Sequence, residues 1–266
     1  MRSNNTKHSP SRLYRLALNA ILLLLTLGWL SAQTTSGTAS SPGQAALPQA
    51  PPASSQVQSP AAPIAASKPL VIIDPAHGGT ESGAVLNPAV LEKDVTLALA
   101  LRLRGDLNAR GIMAELVRDA DVALSVDDRA AKANSEHPAL YICLHATSQA
   151  GPMRIYSAML GEGQENNGPF VDWDTAQSAS LAASRSTQQQ MVAALQKRGI
   201  SIRALQAPLR PLNNVTTAAI GIELAPTKAD VAELMSADYQ ENASAALANG
   251  VAAAVLPAAA TSGALQ

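Results

Sequence analysis

Pro69-Leu70-Val71-Ile72-Ile73-Asp74-Pro75-Ala76-His77-Gly78-Gly79 is the stretch that decides the fold. Its apolar run suits a strand covered on both faces, as found in parallel sheets flanked by helices. The strand ends at Asp74, and the histidine that follows precedes two glycines, so the chain turns where the strand stops. In such sheets functional residues gather at the carboxyl ends of strands.

Reading outward from this strand, residues 92–107 place Val95, Leu97, Leu99, Leu101 and Leu103 at helical spacing, with a glycine stop at Gly111. Residues 113–117 read as a second strand, and residues 125–134 as a helix with Ser125 as N-cap. Strands follow at 139–144 and 152–159. A long amphipathic helix over 181–198 is stopped by Gly199. A short strand at 202–205, a buried strand at 218–224 and one or two closing helices over 230–255 complete the pattern. The stretch 161–178 is polar and Gly-rich and reads as a loop. Buried strands alternating with helices predict an α/β, three-layer αβα fold with a mostly parallel central sheet.

Upstream, the character of the chain changes. A basic stretch ends at Arg15, an apolar run covers residues 16–30, and small residues follow at Ser31, Ala32 and Thr34. This is the pattern of a secretory signal, or of an uncleaved anchor giving inner-membrane association through residues 16–31. The run is short of the ~20 residues that span a bilayer comfortably. Residues 33–67 are Ala, Pro, Ser, Gln and Thr with almost no large apolar side chain. Such a segment cannot offset its ordering entropy by burial and is expected to act as a tether. The expected organisation is residues 1–32 for export or anchoring, 33–67 as linker, 68–257 as the folded domain and 258–266 as a tail.

Charge narrows the function classes. Residues 1–67 carry no acid, so the remainder has 15 basic against 20 acidic side chains, a net charge of −5. An acidic domain gains nothing from an anionic backbone, which argues against nucleic acid as partner. Aromatics are 3% of the chain, too few for a base-stacking platform. The single cysteine, Cys143, lies in an apolar run and is expected to be a small buried core residue. The chain is expected to work in the periplasm or cell envelope.

Four residues carry the candidate chemistry. His77 follows the first strand, His145 directly follows the strand at 141–144, and Glu223 closes the strand at 219–222. Glu92 opens a helix and can turn toward the same edge. Two histidines and one carboxylate with an open coordination position have the composition of a hydrolytic zinc site. A metal so held lowers the pKa of water toward ~7 and polarises a carbonyl. Glu223 is the candidate for the further carboxylate that moves the proton. Taken singly, each has an ordinary structural reading: a hydrogen-bonded loop histidine, an acid in a first helical turn, a solvated strand end. His8, in the export segment, and His137, before Pro138 in a polar loop, carry no such expectation.

The ordered motifs resemble a known family. Asp74-Pro75-Ala76-His77-Gly78-Gly79, Gly83-Ala84, Glu92-Lys93-Asp94, Val117-Arg118-Asp119-Ala120-Asp121, Arg129 with Ala133-Asn134, His145-Ala146-Thr147-Ser148 and Ile222-Glu223-Leu224 are similar to the zinc N-acetylmuramoyl-L-alanine amidases, the type-3 cell-wall amidases. The resemblance runs from about residue 69 to residue 256. It implies one zinc per chain held by His77, Glu92 and His145, with Glu223 as the catalytic carboxylate. It implies peptidoglycan as substrate, cleaved at the amide between N-acetylmuramic acid and L-alanine of the stem peptide. It singles out no activator protein.

The chain departs from the family pattern at three places. Ala76 stands where Gly is usual, Thr147 where Asn is usual, and Ala225-Pro226 where Gly-Phe is usual. None removes a ligand or the base, so an active enzyme with altered preference is expected. Two other readings stay open at this point. One is a catalytically impaired, zinc-containing module that binds peptidoglycan or regulates. The other is a zinc peptidase that cuts within the stem peptide.

Overall fold

The computed structural model describes residues 68–160 and 173–256. Among these the chain forms β1 (Leu70–Pro75), β2 (Val85–Asn87), β3 (Val90–Leu91), α1 (Glu92–Ala109), β4 (Met113–Leu116), α2 (Val126–Glu136), β5 (Leu140–Ala146), β6 (Met153–Ala158), α3 (Leu181–Gln196), β7 (Ile202–Ala207), β8 (Ala219–Leu224) and α4 (Ala237–Val255). No helix among the described residues is long and apolar enough to cross a membrane. The export segment, the linker and the tail expected from the sequence lie outside the described residues.

Six strands form one sheet in the order β4-β1-β5-β8-β6-β7. β1 lies parallel to β4 and β5, and β5 lies parallel to β8. β6 runs antiparallel to β8 and parallel to β7. The sheet is therefore mixed but mostly parallel, and helices cover both faces. Val95, Leu99 and Leu103 of α1, Met191 and Leu195 of α3 and Leu247 of α4 pack on Val71, Ile73, Ile142, Leu144, Ile220 and Ile222. Each such side chain contributes roughly 1.5–3 kcal/mol when fully buried. On the opposite face, Ala130 and Ala133 of α2 meet Ile72, Tyr141, Cys143 and Ala219. Side-chain alternation then puts residues 141, 143 and 145 of β5 and 219, 221 and 223 of β8 on this α2 face.

Several elements differ from the sequence expectation. β5 and β8 are paired through Ala146 and Leu224, so His145 and Glu223 lie inside their strands and do not follow or close them. α2 runs to Glu136 because His137 adopts a left-handed conformation, φ 47°, and caps the helix there. β2 and β3 form a small antiparallel ladder inside the loop before α1. From Trp173 to Ser180, part of the expected loop is a 3-10 helix. Gln177 ties it down, donating its amide to the carbonyls of Val215 and Thr217 at 2.6 and 2.8 Å. Residues 161–172 lie outside the described residues.

Candidate metal centre

The site stands at the carboxyl edge of β1 and β5, above the first turn of α1. Glu92 is the first residue of α1 and is only 6% exposed. Its Oε2 lies 3.2 Å from His77 Nε2, and its Oε1 lies 2.8 Å from His145 Nδ1. The backbone N–H groups of Ala84 and Ala146 donate to the same carboxylate at 2.9 and 3.2 Å. One ligand atom from each of His77, Glu92 and His145 falls within 4.8 Å of the others, and this cluster can hold a metal ion. The donor chemistry fits zinc: two imidazole nitrogens and one carboxylate, a set that leaves a coordination position for solvent or substrate.

The backbone is built to bring these donors together. His77 has φ 63°, a left-handed conformation that turns its side chain back toward α1. Gly83 has φ 66°, and a Cβ there would stand 2.4 Å from His77 Cδ2 and 2.7 Å from Glu92 Oε2. Glycine is thus required where the loop passes the two candidate ligands. Two buried guanidiniums hold the loop from below. Arg118 donates to the carbonyls of Pro75, Ala76 and Lys93 at 2.9, 3.1 and 2.9 Å. Arg129 donates to the carbonyls of Pro75 and His77 at 3.0 and 2.8 Å and pairs with the buried Asp74. Asp74 also accepts the hydroxyl of Tyr141.

The outer nitrogen of each imidazole has its own partner. His77 Nδ1 meets Glu81 Oε1 at 3.1 Å, and His145 Nε2 meets Cys143 Sγ at 3.4 Å. Such partners fix ring orientation and tautomer. Against the penalty of burial, the hydrogen bonds from His145, His77 and Ala84 hold the Glu92 carboxyl well below the usual range. The Glu92 hydrogen bond raises His77 above its ordinary value, with Glu81 adding to it. Burial opposes protonation of His145, but Cys143 and Glu92 overcome it and lift this imidazole as well. Cys143 is buried, as expected, and burial pushes its thiol up.

Glu223 stands beside the cluster as the register partner of His145. Its Oε2 accepts from Arg154 at 2.7 Å and from the Tyr156 hydroxyl at 2.9 Å, both on β6. Sequence reading brought His77, Glu92, His145 and Glu223 to one edge. It did not find Glu81, Arg154 or Tyr156, nor the contact of Cys143 with His145. The alternation of Met153-Arg154-Ile155-Tyr156 marks a strand, but which residue it opposes is set by antiparallel pairing with β8.

The departures from the family pattern sit quietly in the structure. Ala76 is buried, and its carbonyl accepts from Thr96 and Arg118. Thr147 Oγ1 accepts the N–H of Gln149 at 3.3 Å. Ala225 is buried, its carbonyl accepting the Tyr239 hydroxyl, and the Pro226 carbonyl accepts the N–H of Gly151. A cavity of about 580 Å³ lined by Met153, Ile200, Ala225, Glu233 and Tyr239 opens there, and none of His77, Glu92, His145 or Glu223 lines it.

Comparison with known proteins bears on the fold and the family. The family model described as N-acetylmuramoyl-L-alanine amidase matches residues 71–253. The chain is 26% identical over 182 residues to N-acetylmuramoyl-L-alanine amidase LytC of Bacillus subtilis, a match covering 68% of this chain and 34% of LytC. It thus spans about a third of the length of that relative. Among solved structures, the catalytic domain of CwlV from Bacillus (Paenibacillus) polymyxa var. colistinus superposes with TM-score 0.53 at 22% identity, covering 69% of this chain and 96% of that one. AmiC2 of Nostoc punctiforme gives TM-score 0.53 at 24% identity, with 69% and 94% covered. At these identities the two structures speak for the fold.

Proposed function

The chain belongs to the N-acetylmuramoyl-L-alanine amidase family, and from that premise we propose that it hydrolyses the amide between N-acetylmuramic acid and L-alanine of the peptidoglycan stem peptide. The observation that carries the reading is the His77, Glu92 and His145 cluster at one sheet edge, with Glu223 in register beside it. In this reading one zinc per chain is held by His77, Glu92 and His145. When bound, it supplies a Lewis acid that polarises the scissile carbonyl and acidifies water. His77 and His145 offer their inner nitrogens as neutral donors, with Glu81 and Cys143 holding the outer ones. Glu223 accepts the proton of the attacking water and passes it to the departing L-alanine amine.

Residues 1–32 deliver the chain to the envelope, residues 33–67 tether it, and the domain starting near Lys68 does the chemistry. The test is incubation of the full chain with peptidoglycan and mass analysis of the products, with chelator and after zinc is restored. Free stem peptide beginning at L-alanine, lost with chelator and regained with zinc, is the expected result. Fragments cut within the peptide would make the chain a peptidase. No release in the presence of zinc would leave a binding or regulatory module.

A further inference from the structure

Strand β6 meets β8 with Arg154 opposite Glu223 and Tyr156 opposite Gly221. Residues two apart on a strand share a face, so Arg154 and Tyr156 both stand on the side from which Glu223 projects. The two donors do not divide the carboxylate between them. Arg154 reaches Oε2 at 2.7 Å and Tyr156 reaches the same Oε2 at 2.9 Å. Oε1 receives neither. The ion pair is only partly open to solvent, with Arg154 and Glu223 side chains 19% and 21% exposed. A charge-assisted hydrogen bond in that setting is short, strong and directional.

A lone carboxylate beside a three-ligand metal cluster has two ways to fail. It can rotate about its side-chain torsions, so that neither oxygen is aimed at the water. It can also be drawn onto the cation as a fourth ligand, closing the position that hydrolysis needs. We propose that Arg154 and Tyr156 are positioning residues that clamp Oε2 of Glu223, so that Oε1 alone faces the attacking water and Glu223 stays off the metal. The proposal rests on the reading of Glu223 as the base. Arg154 supplies the opposing charge that competes with the cation for Glu223, and Tyr156 fixes the plane of the carboxylate by a second bond to the same oxygen.

The test uses the full chain with zinc and a soluble N-acetylmuramoyl-peptide, comparing Arg154→Ala, Arg154→Lys, Tyr156→Phe and Glu223→Gln, singly and combined. Arg154→Ala is expected to lower kcat by about 10–100-fold, the range for losing a partner that orients a metal-site group. KM, zinc content and melting temperature are expected to stay near wild type. Arg154→Lys should recover part of kcat, and Tyr156→Phe should lose less than Arg154→Ala. In the Glu223→Gln background, Arg154→Ala should add no further loss, and calorimetric affinity for the muramoyl-peptide should be equal with and without it. A raised KM at unchanged kcat would make Arg154 a substrate contact and overturn the proposal. So would a loss that multiplies with that of Glu223→Gln, or no effect of any Arg154 or Tyr156 variant. If Arg154→Ala does not fold, Arg154→Lys and Tyr156→Phe carry the same comparison. A wild-type chain that releases no peptide fails the amidase reading itself, which the control separates from failure of the clamp.

Discussion

His145 of β5 and Glu223 of β8 are register partners on parallel strands. Their side chains therefore leave the same face one strand spacing apart, about 4.8 Å. The candidate metal-binding imidazole and the proposed base are set side by side by backbone pairing, and no flexible loop intervenes. A change in the Glu223 side chain should thus leave the metal cluster standing. Glu223→Gln keeps size and hydrogen-bonding reach but cannot accept a proton. It is expected to retain zinc and near-wild-type melting while losing roughly 10²–10⁴-fold in turnover. Loss of zinc in this variant, read by elemental analysis, would make Glu223 a ligand and reopen the role of Glu92.

Removing a ligand should do the reverse. His145→Ala deletes a nitrogen 2.8 Å from Glu92 Oε1, and zinc content should fall far below one per chain. In the wild type, free zinc about 100-fold above Kd adds about 2.7 kcal/mol to stability. For a domain of this size that is a rise of roughly 5–10 °C in melting temperature. The rise should vanish in His145→Ala. Unchanged zinc content in that variant would rule out this ligand set.

The pH dependence should have opposite signs with and without metal. In the metal-free chain, Glu92 raises the pKa of His77, and Cys143 and Glu92, against burial, raise that of His145 above the ordinary 6.5. Their stabilisation is fully present below 6.5 and is lost as pH rises through the raised values. Glu92, held below its ordinary 4.5, contributes above that value and is lost only as pH falls through its depressed one. Zinc needs the imidazoles neutral, so its affinity rises with pH. The gap between melting temperatures in zinc and in chelator should therefore widen from about pH 6 to 8. A constant gap would remove His77 and His145 from the metal site.

Two glycines predict contrasting outcomes for the same substitution. Gly83→Ala forces a methyl against His77 and Glu92 at a φ of 66°. It should cost about 1–3 kcal/mol and weaken zinc binding. Gly105 lies within α1, is exposed, and has nothing within 4 Å of an added Cβ. Gly105→Ala should stabilise by about 0.5–1 kcal/mol and leave zinc binding unchanged. Paired thermal melts and zinc titrations check both.

A chain beginning at Lys68 should fold and cleave soluble substrate like the full chain, because residues 1–67 carry neither an acid nor a packable apolar pattern outside the 16–30 run. A lower melting temperature or reduced kcat/KM in the shortened chain would show that the upstream segment contributes to the domain.

What the sequence made legible was governed by local pattern. The apolar run of β1, the helical spacing of α1 and the Ser125 cap each depend on neighbouring residues, and each was readable. His77 and His145 were readable because parallel strands bring their carboxyl ends to one edge, and Glu92 because it opens the helix that turns toward that edge. β2 and β3 were not, since ladders of three and two residues leave no period, and Val85 is 65% exposed. The 3-10 helix at Trp173–Ser180 is held by Gln177 reaching the carbonyls of distant residues 215 and 217, a constraint with no local trace. The partners of Glu223 were hidden for the same reason. Arg154 lies 69 residues away, and only the reversed direction of β6 brings it opposite.

The web of Arg118 and Arg129 beneath the His77 loop bears on how the protein lives through changes in its surroundings. A guanidinium stays charged across the whole range in which imidazoles titrate. Its hold on the carbonyls of Pro75, Ala76, His77 and Lys93 therefore depends neither on acidity nor on ion supply. In the proposed reading, scarcity of zinc would silence such a chain without dismantling it. The socket would keep its shape while idle, and replenishment would restart it at the speed of ion capture, with no round of refolding in between.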